Sequence, residues 1–183
     1  RVAGHGCGHH LFGVASVAAG IELKNYIDKN KIAGTIKVFG TPAEEGGSGK
    51  VYMVREGLFD GVDIVMHWHP DSKNGASPYT SLANKTAKFR FKGISAHASG
   101  FPEKGRSALD GVEAMNVMAN MMREHMPSDT RMHYVITDGG KAPNVVPDYA
   151  EVYYYMRHPR RDVLMELFDR LVKTAEGAAT GTG

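Results

Sequence analysis

Ala87-Lys-Phe-Arg-Phe-Lys92 alternates small or aromatic and cationic side chains without a break. Successive side chains of a strand point to opposite faces, so Ala87, Phe89 and Phe91 line one face and Lys88, Arg90 and Lys92 the other. One packed face and one wet face is the pattern of an antiparallel sheet. The same signature returns twice downstream: Met132, Tyr134 and Ile136 alternate, and so do Ala150, Val152, Tyr154 and Met156, after Gly139-Gly140 and a turn around Pro143-Asn144. Between the first two strands a helical stretch runs from about Lys104 to His125 with Ala108, Val112, Met115, Ala119 and Met122 along one stripe, its methionines reading as core filling. Leu164, Leu167, Phe168, Leu171 and Ala175 make a final amphipathic helix, and Gly177 to Gly183 reads as a small, polar, frayed end. Strand, helix, strand, strand, helix is the order of a ferredoxin-like split βαβ sandwich that lacks its last strand.

Upstream, Ser, Asn, Gly and Pro cluster from Asp71 to Tyr79, which predicts a domain boundary and divides the chain into 1–78 and 79–183. The first part reads as α/β. Its first helix is expected from His10 to Lys29, carrying Leu11, Val14, Ala15, Ala18, Ala19 and Leu23 at three- and four-residue steps. Gly34 to Gly40 and the run Val62, Ile64, Val65, Met66 are expected as buried strands, and Ser48 to Leu58 as a helix with Ser48 as its N-cap.

Chemistry concentrates at the ends of these elements. Gly4-His5-Gly6-Cys7-Gly8-His9-His10 precedes the first helix, and a thiolate and an imidazole two residues apart can face one centre in a loop held open by glycines. Thr41-Pro-Ala-Glu-Glu-Gly-Gly47 places two adjacent carboxylates after the first apolar run, where one can bind a metal while the other takes a proton from water. His67-Trp68-His69-Pro70 ends the second run, and histidines two apart on a strand share a side. Cys7, His9, Glu44, Glu45 and His69 therefore stand on three separate loops, as ligands of a metal centre do.

Bulk properties narrow the function classes. A net charge of +2 over 183 residues leaves no nucleic-acid or membrane-surface footprint. A single cysteine cannot close an internal disulfide and fits a reducing cytoplasm. Apolar runs fall short of membrane-spanning length. Starting at Arg1, with the reactive cluster only a few residues later, the chain reads as part of a larger protein.

With these residues in view, the chain resembles the zinc-peptidase and aminoacylase-type metallo-amidohydrolases. The resemblance rests on His5-Gly-Cys-Gly-His9, Pro42-Ala-Glu-Glu-Gly46, Trp68-His69-Pro70, Phe91-Lys-Gly-Ile-Ser-Ala-His97-Ala and Pro143-Asn-Val-Val-Pro147, which occur in order over essentially the whole chain. Within that family it is most similar to the aminobenzoyl-glutamate hydrolase B-subunit group. The resemblance implies part of a mixed-sheet catalytic domain followed by a lid or dimerisation domain, with two divalent ions, zinc or manganese, in each complete subunit. It implies Cys7, His9, Glu45 and His69 as ligands and Glu44 as general base. It implies His97 as a lid histidine reaching the partner subunit's site, with Asn144 and Arg157 holding a substrate carboxylate. The implied substrate is an N-acyl or N-aroyl amino acid, and the implied assembly a homodimer through the lid or a pairing with a different subunit. Departures are also visible: many relatives carry an acidic residue where this chain has His10, His67 has no assigned role, and a further histidine ligand expected far downstream lies outside the chain. The 183 residues alone are therefore expected to be inactive.

Two other readings stay open on the sequence. Cys7 could be the nucleophile of an amidase with a histidine as base, which a chelator would leave active. Alternatively, residues 80–183 could serve only as an association module.

Overall fold

The computed structural model describes residues 4–76 and 80–183, so the boundary expected between 78 and 79 falls outside the described residues. The chain divides into two units, Arg1–Ala76 and Ser77–Gly183. Helices α1 (His9–Lys29), α2 (Glu44–Gly47) and α3 (Gly49–Arg55) belong to the first.

The second unit contains β1 (Ala83–Lys92), α4 (Ala108–Met122), β2 (Arg131–Asp138), β3 (Tyr149–His158) and α5 (Arg161–Thr182). The strands form one antiparallel sheet in the order β1-β3-β2, so the last strand lies in the middle. Ala83 pairs with His158 and Lys92 with Tyr149, while Arg131 pairs with Arg157 on the other side of β3. Alternation does what it predicts: Ala150, Val152, Tyr154 and Met156 are buried on one face together with Phe91 and Met132, and α4 and α5 pack there. α5 buries Leu164, Leu167, Phe168, Leu171, Thr174 and Ala178, and α4 buries Val112, Met115, Ala119 and Met122. Tyr154 is fully buried, with its hydroxyl donating to Asn116 Oδ1 at 2.6 Å, so its one polar atom is satisfied inside the core. Burial raises its phenol pKa above the ordinary value. The opposite face is polar and centres on Glu151.

Three local expectations need correction. The helix expected from Lys104 begins at Ala108, after a 3₁₀ turn over Pro102–Lys104, because Ser107 supplies the cap by accepting from the Asp110 amide at 3.2 Å. Methionine filling holds for Met115 and Met122, whereas Met121 is 68% exposed. The tail read as frayed continues as helix to Thr182, because Ala178 is buried and anchors the last turns.

In the first unit, α1 is the one long helix described, α2 is a single turn, and α3 follows it after Ser48. None of the unit's described residues is buried. Neither Gly34–Gly40 nor Val62–Met66 is a strand: both lie outside any ladder, with Ile64 at 76% and Val65 at 68% exposure. The reason is physical. A strand needs a neighbour for its backbone groups, and a β-rich run that finds none among the described residues stays irregular. Ser48 precedes α3 but has φ 50°, ψ 44° and makes no side-chain cap bond, so it turns the chain between two helices instead of capping one.

Candidate metal centre and lid loop

Gly8 sets the first site. Its φ of 77° lies in the left-handed region that glycine occupies without penalty, and a Cβ there would stand 3.2 Å from Pro70 Cγ. The chain thus turns tightly beneath the Trp68-His69-Pro70 segment just before α1 begins. Cys7, His9 and Glu45 offer ligand atoms that all lie within 4.8 Å of one another. His69 joins through Cys7, its Nε2 being 3.6 Å from Sγ, while its ring centre is 6.3 Å from that of His9. His9 Nε2 lies 3.2 Å from Glu44 Oε2 and 3.4 Å from Glu45 Oε1, so α2 aims both carboxylates at one imidazole.

The Cys7–His69 and His9–Glu45 spacings fit donors that share a metal, whereas the 4.8 Å limit of the Cys7, His9 and Glu45 group is wider than a tetrahedral edge. For tetrahedral zinc, bond lengths of about 2.3 Å to sulfur and about 2.0–2.1 Å to nitrogen and oxygen put sulfur and nitrogen about 3.6 Å apart and nitrogen and oxygen about 3.4 Å apart. The donor set of thiolate, imidazole and carboxylate also suits a transition metal. Three loops distant in sequence are brought together. Two features were not anticipated. Glu44 and Glu45 sit on a helical turn, and both approach His9, so geometry alone does not divide their roles. Phe12, one helical turn after His9, packs its ring 4.6 Å from His9, 5.6 Å from His69 and 5.0 Å from Trp68, holding both imidazoles against an apolar wall. Its i, i+3 spacing from His9 was the available signal. His69 is further fixed by Nδ1 at 2.8 Å from the Pro70 carbonyl. His5 and His10 pair with each other at 4.8 Å, and His67 is not among the gathered residues.

His97, Asn144 and Arg157 lie on the second unit. Beyond β1 the chain passes Gly93, where a Cβ would meet the Arg106 carbonyl at 2.0 Å, so only glycine lets the two backbones approach. Ile94 and Arg106 exchange backbone bonds of 2.8 and 2.9 Å, and Val146 donates to Ala96 at 2.9 Å. The Ala98 amide donates to the Asn144 carbonyl at 3.0 Å, so His97 and Asn144 are strapped side by side. Arg157 is elsewhere. It lies eight residues along β3 from Tyr149, the end from which these loops emerge, a run of about 27 Å at the strand rise.

Residues 82–181 match a family described as the peptidase dimerisation domain. The chain belongs to that family. Over 180 residues it is 48% identical to the B-subunit of p-aminobenzoyl-glutamate hydrolase from Escherichia coli (strain K12), covering 98% of this chain and 37% of that protein. It is 33% identical to the Xaa-Arg dipeptidase of Mus musculus, covering 98% of this chain and 42% of the relative. A solved amidase of the hydantoinase/carbamoylase family from Burkholderia vietnamiensis superposes with a TM-score of 0.51 at 21% identity, over 56% of this chain and 25% of that one, a likeness of fold. The chain of this dimerisation-domain family therefore spans about two fifths of the length of the hydrolases it matches. Among the described residues no helix is long and apolar enough to cross a membrane.

Proposed function

We propose that this chain is part of a cytoplasmic metal-dependent amidohydrolase that cleaves the amide of an N-acyl or N-aroyl amino acid, aminobenzoyl-glutamate being the nearest named example. The observation that carries the reading is the convergence of Cys7, His9 and Glu45 within 4.8 Å, with His69 beside Cys7 and Glu44 on His9. Cys7, His9, Glu45 and His69 would hold one or both of two divalent ions, zinc or manganese. When bound, such ions acidify a water and polarise a carbonyl. Glu44 takes the water's proton and returns one to the leaving nitrogen. His97 donates to the carbonyl oxygen as it becomes an oxyanion. The cysteine-nucleophile reading is less well supported, because it leaves both carboxylates on His9 without a task.

One substrate carboxylate cannot span the length of β3, so Asn144 with His97 and Arg157 would serve different copies of the site. That calls for a dimer. Val117 and Met121 on α4 and Tyr134 and Ile136 on β2 are exposed, and the outer edge of β2 has no partner strand among the described residues. This face suits a second copy or, given a relative whose name marks it as one of a hydrolase's subunits, a chain of different sequence. The sheet order β1-β3-β2 is compatible with a ferredoxin-like sandwich whose fourth strand would lie along the outer edge of β1.

The decisive experiment uses the complete protein. Glu44→Gln should cut turnover about 10³-fold, within the usual range for a general base, while metal content measured on the same sample stays unchanged. Chelation should abolish the wild-type rate, and added zinc or manganese should restore it. Normal turnover by the Gln variant would refute the base assignment, and a chelator-resistant rate would return the case to Cys7.

A further inference from the structure

The loop after β1 directs three donors at a single atom. The Ser99 amide at 3.3 Å, the Gly100 amide at 3.2 Å and the Ser99 hydroxyl at 3.2 Å all meet Nδ1 of His97. Backbone N–H groups only donate, so Nδ1 has to present its lone pair to them, and the Ser99 hydroxyl then turns its hydrogen the same way. An imidazole with one ring proton consequently carries it on Nε2. The His97 carbonyl is itself gripped by the Gly100 and Phe101 amides, each at 3.1 Å, and the segment is bridged to Val145. Side chain and backbone are thus fixed from the same short turn, and the His97 side chain is exposed with no hydrogen bond to Nε2 among the described residues.

We infer that His97 is presented in the Nε2–H tautomer, with Ser99 and Gly100 as the residues that impose it, so that its task is to donate one hydrogen bond to an oxygen. In this tautomer Nε2 has no free lone pair, which rules out proton abstraction or cation binding through that atom. The group it meets is a hydrogen-bond acceptor, which on the hydrolase reading is the carbonyl oxygen or the oxyanion formed from it. The part concerning the acceptor rests on the hydrolase reading above; the tautomer does not.

Two-bond ¹H–¹⁵N correlation spectra of the ¹⁵N-labelled chain test the tautomer, with His97 identified by loss of its signals in His97→Gln. The expected pattern is Nδ1 at the position of an unprotonated ring nitrogen and Nε2 at that of a protonated one. The reverse pattern, or two averaged nitrogens, overturns the inference. Ser99→Ala should keep the pattern because both amides remain, whereas Ser99→Pro should move it towards averaging while the β1–β3 amide resonances stay put. An unchanged pattern in Ser99→Pro would remove Ser99 from the role. In the complete hydrolase, His97→Gln keeps an N–H donor and should retain at least about 10-fold more kcat than His97→Ala, with KM little altered, as losing one oxyanion donor costs about 10²–10³. Equal loss in both variants would overturn the donor role. A complete wild-type protein that hydrolyses nothing would refute the hydrolase reading and leave the spectra as they are.

Discussion

α1 and α5 are nearly the same length, 21 and 22 residues, and both carry apolar residues at helical steps, yet α5 buries six residues and α1 none. Leu11, Val14, Val17 and Ile21 of α1 are all about half exposed or more. The difference lies in what surrounds each helix. α5 lies on a sheet whose inner face is apolar, so each turn displaces water from Phe89, Val152 or Tyr154, and the hydrophobic gain is realised. α1 has no such sheet among the described residues: Phe12 meets Trp68 and His69 and Gly20 lies close to Val38, yet none of its residues is buried. A periodic sequence offers a face; a second surface turns the offer into stability.

Hydrogen exchange probes that contrast most severely. Core amides of β3 and α5 should open only with global unfolding, and those of α1 by local fraying, so protection should differ by about 10³-fold or more. Comparable protection in both helices would break the comparison. Next in size, Met156→Ala, at a fully buried position, should cost roughly 3 kcal/mol in urea unfolding, as large-to-small core changes do. Val14→Ala, at 72% exposure, should stay within about 0.5 kcal/mol.

A smaller effect concerns the polar face of the sheet. Glu151 receives hydrogen bonds from Arg90 at 2.8 Å, Lys88 at 2.9 Å and Thr137 at 2.8 Å, and these pull its pKa from the usual 4.5 down to about 2. A carboxyl held lower when folded than when unfolded adds stability that is fully present above pH 4.5 and disappears as the pH falls towards 2. Acid titration of the unfolding midpoint should therefore be less steep in that window for Glu151→Gln than for wild type. Identical slopes would mean that the network does nothing for the sheet.

How far the fold could be read from sequence follows the same division. The strands around Phe89 and Tyr154 announced themselves because an alternating pattern needs only one buried face, and the sheet provides it; along β2 the same alternation buries only Met132. Gly34–Gly40 and Val62–Met66 have equally good strand composition, but composition cannot supply a neighbouring strand. The central place of β3 was also hidden, since pairing order is a property of three segments together and not of any one. At the candidate metal centre, residue chemistry singled out Cys7, His9, the glutamates and His69, because thiol, imidazole and carboxylate between glycines are informative by type. Phe12, Ser99 and Gly100 were missed for the opposite reason: an aromatic ring and two backbone amides acquire meaning only through where they point.

The central position of β3 has a consequence for how the second unit comes into being. Ala83 finds its partner at His158 and Lys92 at Tyr149, so β1 joins the sheet only across contacts 57 to 75 residues apart in the chain. Pairings this distant make assembly slow relative to helix formation. A nascent polypeptide emerging from the ribosome would hold β1, α4 and β2 unzipped, with Phe89 and Phe91 showing, until Tyr149 onward appeared to join them.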